Sequence, residues 1–249
     1  MSINRTLVKE EFVLKTDYEK HIFGDVTRSD DIDVKGIVIF AHGFKGFKDW
    51  GHFNLVADKF ATAGLAFIKF NFSHNGTTKE NPTDFVDLEA FGNNNFSKEL
   101  NDMGKVIDWA EEYGQPSGDK FPIYLMGHSR GGGVAILKAY EDQRVNKLVT
   151  WSAVSDFETR FPKDMERFKA EGVVYIPNAR TKQNMPLYYS IVEDFYLNQK
   201  RLHIPGIIEK ITTPYLIIHG MDDEAVPFIE AENLHNHCKT SELLLVKGA

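Results

Sequence analysis

The amino-acid sequence predicts an α/β protein whose mostly parallel sheet carries helices on both faces. Short apolar runs rich in β-branched residues alternate along the chain with segments in which apolar residues recur every three or four positions. Such alternation requires crossover connections, and crossovers make neighbouring strands parallel. With 249 residues, of which 42% are hydrophobic, the chain is long enough to form one sizeable core. We therefore expect a single domain over residues 1–249.

Eight segments have the character of strands. The clearest is 36–41, a near-continuous apolar run with two isoleucines and a valine, which is typical of a strand buried on both faces of a parallel sheet. Two short strands precede it, and five follow at intervals that leave room for helices. The predicted strands are 11–14, 21–26, 36–41, 66–72, 121–126, 147–151, 214–219 and 242–246.

Four segments between these strands predict helices. Two of them are recognised by apolar stripes, at positions 53, 56, 57, 60 and 61 and at positions 100, 103, 107 and 110. Gly114 and Pro116 are expected to end the second of these helices. The other two helices are predicted over 131–140 and 226–238. The polar connection 73–95 is longer than most loops, and such length is typical of a functional segment.

The alternation of strands and helices stops between residues 156 and 211. This stretch is rich in charged and aromatic residues, and none of it predicts a strand. We interpret it as a mostly helical cap, inserted into the domain and lying over the sheet. Its aromatic residues, with Met185 and Pro186, are expected to form a partly apolar roof that sets the size of a bound group. The alternative is that they only attach the cap to the core. These aromatic residues are Phe161, Phe168, Tyr175, Tyr188, Tyr189, Phe195 and Tyr196.

Charge and cysteine content restrict the classes of partner. The formal net charge is −7 and no local Lys/Arg cluster offsets it, so neither nucleic acid nor an anionic membrane is expected as a partner. The single cysteine, Cys238, excludes an intramolecular disulfide. The first residues lack the apolar core of a signal peptide, and no apolar run reaches the roughly 18 residues of a membrane span. We therefore expect a cytoplasmic protein.

The strongest chemical signal is the segment Met126-Gly-His-Ser-Arg-Gly-Gly-Gly133. Because an apolar strand precedes it and an apolar-striped helix follows it, its Gly-x-Ser-x-Gly pattern predicts a nucleophile elbow with Ser129 as the nucleophile. Gly127 and Gly131 remove side chains that would clash in such a turn, and His128 is expected to support it. The serine hydroxyl would then lie above a helix N-terminus, whose partial positive charge favours a developing oxyanion.

A second signal, His42-Gly43-Phe44, follows the buried strand 36–41 directly. A turn at this point is expected to direct a backbone N–H towards the nucleophile. The oxyanion hole would then consist of the N–H groups of Phe44 and of Arg130, the residue after the serine. The His42 side chain is expected to brace this loop through hydrogen bonds rather than to act as a catalytic base.

A third signal is a run of acids, Asp222, Asp223 and Glu224, after the predicted strand 214–219. An acid at the end of a late strand is what a catalytic histidine needs to fix its tautomer and stabilise its positive charge. From the residues alone, any of the three acids qualifies. Each could equally be a solvated turn residue or a cap for the helix that follows.

With these signals in order, the chain resembles the α/β-hydrolase superfamily, in particular bacterial esterases and peptidase-like members near the dienelactone hydrolases, cinnamoyl esterases and serine aminopeptidases. The resemblance spans essentially the whole chain, and it implies the α/β-hydrolase fold, a nucleophilic Ser129 and Asp223 as the acid of the triad. It is carried by His42-Gly-Phe44, Phe72-Ser-His-Asn-Gly76, Gly127-His-Ser-Arg-Gly131 and His219-Gly-x-x-Asp-x-x-Val-Pro227.

One part of the family's pattern is not found in these 249 residues. The resemblance implies a catalytic histidine on the loop after the last strand, and we expect it just after Ala249, so that a chain ending there would be impaired. His235 is interpreted as packed against the sheet and His237 as facing solvent. His74 is expected to support a loop.

These observations predict a carboxylic ester hydrolase that acts on a small-molecule ester through an acyl-enzyme at Ser129. No cofactor and no metal are expected, because no cluster of histidine, cysteine and carboxylate residues has ligand spacing. Two alternatives remain: a serine peptidase or amidase using the same triad, and a non-catalytic protein that binds a ligand through the segment 156–211. Neither the acyl and alcohol groups of the substrate nor the oligomeric state is predicted.

Overall fold

The computed structural model describes residues 5–114 and 120–249 and confirms the predicted α/β class. Eight of the strands in this part of the chain form one sheet, and two form a separate hairpin. In chain order the strands are β1 (Leu7–Lys15), β2 (His21–Ser29), β3 (Ile37–Ala41), β4 (Ala66–Asn71), β5 (Ile123–His128), β6 (Val145–Trp151), β7 (Val173–Pro177), β8 (Asn184–Tyr188), β9 (Tyr215–Gly220) and β10 (Ser241–Val246).

The large sheet has the strand order β1-β2-β4-β3-β5-β6-β9-β10. The β1–β2 and β2–β4 pairs are antiparallel, and all other neighbours in this sheet are parallel. All eight predicted strands are present. The first two are longer than predicted. Most of β1 is exposed, so the apolar pattern marks only part of it, and β2 continues through the polar residues Thr27, Arg28 and Ser29.

Helices cover both faces of this sheet. Among the described residues they are α1 (Phe53–Thr62), α2 (Leu88–Gly92), α3 (Phe96–Tyr113), α4 (Arg130–Glu141), α5 (Met165–Glu171), α6 (Ser190–Leu197), α7 (Gln199–Leu202), α8 (Ile204–Ile207) and α9 (Ile229–His237). Two 3₁₀ turns add Glu158–Arg160 and Ile208–Lys210.

The ends of two helices have identifiable causes. The Asn95 side chain accepts the Lys98 N–H at 2.9 Å and so caps the start of α3, and Gly114 follows its last residue. The predicted stop at Pro116 and the N-terminal residues 1–4 lie outside the described residues. Helix α9 is shorter than the predicted 226–238 because the Asp223 side chain binds the N–H groups of Ala225 and Val226 in a turn.

Strand β3 divides the hydrophobic core between the two faces of the sheet. Ile37 and Ile39 belong to the larger cluster, which includes the apolar faces of α3 and α4. Val38 and Phe40 belong to a second cluster on the α1 side. Successive strand residues point to opposite faces, so a strand apolar at every position is buried on both sides. All five residues of β3 are buried, as the run 36–41 predicts.

The expectation that residues 156–211 contain no strand is wrong. Strands β7 and β8 pair antiparallel within this stretch, with Tyr175 opposite Pro186. Prolines in both strands, Pro177 and Pro186, hide the strand signal in the sequence, because a proline cannot donate a ladder hydrogen bond. A two-stranded hairpin tolerates them, since each of its strands has a free edge. Short helices and turns make up most of the remainder.

Helix α3 buries an acid that the apolar stripe does not reveal. Asp102 is 1% exposed, and its Oδ2 accepts the Ser73 N–H at 2.7 Å. Its Oδ1 has no hydrogen-bond partner in the described part of the chain. Burial raises the pKa of Asp102 to about 7, although the Ser73 hydrogen bond opposes the shift.

The raised pKa of Asp102 makes stability depend on pH. Between about pH 4 and pH 7 the folded protein holds a proton on Asp102 that the unfolded chain releases, so stability falls as pH rises through this window. In the unsubstituted protein, Asp102 should lower the free energy of unfolding by up to about 1.4 kcal/mol for each pH unit in this window. We expect Asp102→Asn to remove this pH dependence, and urea unfolding from pH 4 to pH 8 measures it. Glu112→Gln, at an exposed position on the same helix, is the control. An unchanged slope in Asp102→Asn would contradict the assignment.

Candidate active site

Ser129 occupies the turn between β5 and α4 with a strained backbone. Its φ of +54° and ψ of −121° lie in a region that residues with a side chain rarely adopt. The Ser129 N–H donates to the Trp151 carbonyl at 3.0 Å, and the Ser129 carbonyl accepts the Gly132 N–H at 3.0 Å. These hydrogen bonds tie the serine to β6 and to the first turn of the helix. Strain of this kind persists only where the surrounding structure holds it.

The chain segments around Ser129 approach one another too closely for side chains. A Cβ atom on Gly131 would lie 2.3 Å from the His42 carbonyl oxygen, and one on Gly127 would lie 2.4 Å from the Gly131 carbonyl oxygen. A Cβ on Gly43 would lie 2.9 Å from the Ser129 Cβ. Glycine at these positions therefore allows α4 and the loop after β3 to meet at the serine.

Two backbone N–H groups near Ser129 are free. Within the part of the chain that the structure describes, neither the Phe44 N–H nor the Arg130 N–H has a hydrogen-bond acceptor. Phe44, Ser129 and Arg130 line the same cavity. The two residues come from different elements, the loop after β3 and the N-terminus of α4, and line one cavity only because of the tertiary fold.

His42 braces the loop after β3 from within. Its Nδ1 lies 2.9 Å from the Gly43 carbonyl oxygen, and its Nε2 lies 3.4 Å from the Phe72 nitrogen. Because a carbonyl only accepts and an N–H only donates, the ring carries its proton on Nδ1. Burial lowers the pKa of His42 to about 4, so the ring is neutral at neutral pH.

The Arg130 side chain has a structural position that the sequence pattern does not reveal. Its guanidinium lies between two aromatic rings, 5.3 Å from the Phe44 centroid and 4.6 Å from the Phe96 centroid. Its Nε donates to Glu99 Oε2 at 2.9 Å, and Asn94 donates to the other oxygen of Glu99 at 2.7 Å. Burial raises the pKa of Glu99, against the effect of Arg130. Arg130 thereby links α3 to the loop that carries Phe44.

Four charged residues anchor the same loop at its far end. Lys69 on β4 contacts Asp25 on β2 at 2.9 Å and Asp49 at 2.8 Å. Lys48 contacts Asp49 at 2.6 Å and also pairs with Asp25. Lys69 and Asp25 are completely buried. A third lysine, the more exposed Lys9, lies 3.4 Å from Asp25 and 3.6 Å from Asp49, so each buried charge has opposite charges beside it, which burial of ions requires.

Asp223 differs from both of its acidic neighbours. Its Oδ1 accepts the N–H groups of Ala225 and Val226, each at 2.9 Å, whereas Asp222 and Glu224 are exposed. Partial burial would raise the pKa of Asp223, but the hydrogen bonds from Val226, the Ser152 hydroxyl and Ala225 outweigh it and hold the pKa below its usual value. Asp223 is therefore ionised at neutral pH, in the turn that follows β9.

No histidine among the described residues hydrogen-bonds to the Ser129 hydroxyl. The His128 ring packs against Phe53 and Trp151, with centroids 5.7 and 5.4 Å away, and burial lowers its pKa. His235 hydrogen-bonds to Ser241 Oγ at 2.8 Å. The other histidine after Asp223 is exposed, as expected, and its Nδ1 lies 2.8 Å from the Asn233 carbonyl oxygen. A general base beyond the 249 residues stays a prediction.

Two further histidines near this edge of the sheet are held by local hydrogen bonds. His219 is completely buried on β9, and its Nε2 lies 2.7 Å from the Val226 carbonyl oxygen. His74 Nδ1 lies 2.8 Å from the hydroxyl of Ser73. Burial lowers the pKa of His74 to about 4. Both rings therefore stabilise loops at the carboxyl ends of the strands.

Ser129 opens into a cavity of about 320 Å³ with mostly apolar walls. One wall comes from the segment 156–211, through residues of its 3₁₀ turn, its hairpin and α6. The lining residues are Phe44, Lys45, Phe96, Ser129, Arg130, Val154, Phe157, Arg160, Phe161, Ile176, Leu187, Ile191, Ala225 and Val226. A larger groove of about 880 Å³ at the opposite end of the sheet contains none of the predicted site residues.

The segment 156–211 lines the Ser129 cavity, but the choice of its aromatic residues as that lining is mostly wrong. Of its seven aromatic residues, Phe161 lines the cavity and the other six do not. Phe168 and Phe195 are completely buried in the core, and Met185 packs with Phe47 and neighbouring aromatics. The sequence pattern cannot separate these roles, because the same aromatic residue types attach a segment to the core and line a cavity.

The described residues contain no group of three or more histidine, cysteine or acidic side chains placed to hold a metal ion. In the same residues, no helix has the length and apolar content needed to cross a membrane.

The eight-stranded sheet with a strained serine between β5 and α4 is the α/β-hydrolase fold, and solved structures agree. Est1E from Butyrivibrio proteoclasticus with ferulic acid bound is 22% identical, with a TM-score of 0.73, over 95% of this chain and 89% of that one. A soluble variant of monoglyceride lipase from Saccharomyces cerevisiae, in complex with a substrate analogue, is 17% identical, with a TM-score of 0.71, over 97% and 87%.

Sequence comparison identifies the family. The family model described as serine aminopeptidase, S33, matches residues 32–194, and the chain belongs to that family. The chain is thus a member of that family with the α/β-hydrolase fold. The human protein serine hydrolase BPHL is 23% identical over 181 residues, which are 66% of this chain and 54% of that protein. The matched region thus spans about half the length of that curated relative.

The close packing around Ser129 implies that adding a side chain at Gly131 destabilises the protein. We expect Gly131→Ala to lower the free energy of unfolding by about 3 kcal/mol or more, because its Cβ would overlap the backbone carbonyl of His42. Urea unfolding measures the change. Gly104→Ala on α3 is the control: its Cβ would meet the flexible end of Lys138 at 3.1 Å, and alanine favours the helix by about 0.5–1 kcal/mol. Equal effects of the two substitutions would contradict this account of the elbow.

Proposed function

We propose that this protein hydrolyses carboxylic esters through an acyl-enzyme formed on Ser129. The observation that carries the proposal is the cavity that Ser129 shares with Phe44 and Arg130, whose backbone N–H groups have no acceptor among the described residues. Donors held in place before the reaction stabilise a developing oxyanion without reorganisation, and they supply much of the rate in acyl transfer. The N-terminus of α4 adds a favourable partial charge.

The reaction follows two balanced steps. Ser129 Oγ forms a bond to the ester carbonyl carbon, its proton passes to the leaving group, and the C–O bond to the alcohol breaks. Water then adds to the acyl-enzyme, the bond to Oγ breaks, and the carboxylic acid leaves while the serine recovers its proton. In both tetrahedral intermediates the former carbonyl oxygen accepts hydrogen bonds from Phe44 and Arg130.

A histidine base is part of the proposal, and Asp223 is the group that would orient it. An ionised carboxylate fixes the tautomer of the imidazole and stabilises the imidazolium that forms. Asp223 suits this role because its own position is fixed by hydrogen bonds from Ala225 and Val226 and because its pKa is lowered. From the resemblance, we expect this histidine on the loop after β10.

The charge of the cavity favours an ester over an aminopeptidase substrate. A peptide with a free N-terminus brings an ammonium group, and recognition of that group calls for an acidic side chain in the cavity. No lining residue in the described chain is acidic, whereas Lys45, Arg130 and Arg160 are basic. The strained backbone of Ser129 weighs against a purely binding role, because binding alone does not need the strain.

Replacement of the nucleophile tests the mechanism. In the full chain, Ser129→Ala should lower kcat for 4-nitrophenyl butyrate by about 10³-fold or more and abolish covalent labelling by a fluorophosphonate probe. Mass spectrometry of the labelled protein should place the modification on Ser129. Ser155→Ala, whose hydroxyl bonds to Glu230 outside the cavity, should retain both labelling and turnover. Labelling retained in Ser129→Ala would refute the nucleophile.

The three consecutive acids provide a matched test of Asp223. Asp223→Asn in the full chain should lower kcat by about 10²-fold or more, because the carboxylate that orients the base is lost. Asp222→Asn and Glu224→Gln, at the exposed neighbouring positions, should change kcat less than about threefold. Unfolding curves of all three variants control for stability. Equal small effects would mean that the acid lies elsewhere.

A further inference from the structure

The charge of the Ser129 cavity is opposite to that of the whole chain. The protein carries a formal net charge of −7, yet the charged residues that line this cavity are Lys45, Arg130 and Arg160, and the lining residues include no acid among those described. Apart from Ser129, the other lining residues are apolar. A cavity with apolar walls and basic side chains suits a ligand that combines a hydrocarbon part with a negative charge.

Two of the three cations already have carboxylate partners. Arg130 pairs with Glu99, and Arg160 pairs with Glu230 on α9. These pairs leave little net charge at either position. The guanidinium of Arg130 is nevertheless incompletely satisfied, because its buried Nη2 has no hydrogen-bond partner within the described chain.

Lys45 is the cation that remains uncompensated. No carboxylate in the described part of the chain lies within ion-pair distance of its ammonium group. Lys45 Nζ donates to the Pro177 carbonyl at 3.1 Å, which uses one of its three donors. The residue is half-buried and directly follows Phe44 in the loop after β3. Its ammonium group therefore lies at the rim of the cavity, between this loop and the β7–β8 hairpin.

We propose that the substrate is an ester that also bears a carboxylate, and that Lys45 binds this carboxylate. This inference rests on the proposed esterase function and narrows it. The hydrocarbon part between the ester and the carboxylate lies against apolar residues such as Phe157, Phe161 and Ile191. Hydrolysis of such a half-ester consumes water and releases an alcohol and a dicarboxylate. A charge-assisted hydrogen bond to Lys45 is stronger than one between neutral groups.

Binding of matched ligands tests the proposal without relying on turnover. The test uses the full chain carrying Ser129→Ala, and calorimetry compares monomethyl adipate with methyl hexanoate, which has a similar length and no charge. We expect the anionic ester to bind about tenfold more tightly. Adding Lys45→Met should remove this preference and Lys45→Arg should retain it. Lys182→Met is the control, because Lys182 is an exposed residue of the β7–β8 turn that does not line the cavity.

Turnover provides the second readout and separates the two proposals. In the protein with Ser129 intact, kcat/KM for mono-4-nitrophenyl adipate should exceed that for 4-nitrophenyl hexanoate by about tenfold, and Lys45→Glu should reverse the order. Equal kcat/KM values for the two esters, together with equal affinities in the binding assay, would overturn the role of Lys45 and leave the esterase proposal standing. Failure to hydrolyse either ester, with no fluorophosphonate labelling of Ser129, would overturn the proposed function itself.

Discussion

The close approach of three chain segments at Ser129 is the constraint on which the site depends. The loop after β3, the turn after β5 and the first turn of α4 meet at distances that leave no room for a Cβ at Gly127 or Gly131. This packing holds the serine backbone at a positive φ and brings Phe44 and Arg130, whose N–H groups have no acceptor among the described residues, to the same cavity.

Buried charges keep this arrangement in place from two sides. The Arg130–Glu99 pair lies beneath the Phe44 ring, and the cluster of Asp25, Lys48, Asp49 and Lys69 anchors the far end of the same loop. Buried ion pairs contribute little net stability compared with apolar residues of the same shape, because desolvation offsets their attraction. Their directional contacts do, however, restrict the positions that the loop can adopt, and the geometry of the site requires such a restriction.

The segment 156–211 combines two roles in one short stretch of chain. Two of its aromatic residues, Phe168 and Phe195, are completely buried and attach the segment to the main core. A different set, including Phe161 and Ile191, forms one wall of the cavity. Attachment to the core and cavity lining therefore come from neighbouring residues. Ile191 lines the cavity and also belongs to the main core, and it lies on the same face of α6 as Phe195, four positions further on.

The sequence by itself determined the order of the strands along the chain, the doubly buried character of β3 and the elbow at Ser129. These features follow from local rules. Apolar periodicity distinguishes strands from helices, and the Gly-x-Ser-x-Gly pattern between a strand and a helix indicates a nucleophile elbow. Hydrogen bonding in the structure singles out Asp223 among three adjacent acids, a distinction that the residues alone do not make. The hairpin in 156–211 was missed because prolines weaken the strand signal where a free edge tolerates them.

Tertiary structure alone decided which side chains share the Ser129 cavity. Lys45, Arg130 and Arg160 come from separate parts of the chain, and only the fold brings them to one cavity without an acid among its described lining residues. The burial of Asp102 and the separation of Phe161 from the other aromatic residues are also invisible in the sequence. The physical reason is that local propensity acts over a few residues, whereas burial, charge compensation and cavity shape depend on contacts between segments far apart in the chain.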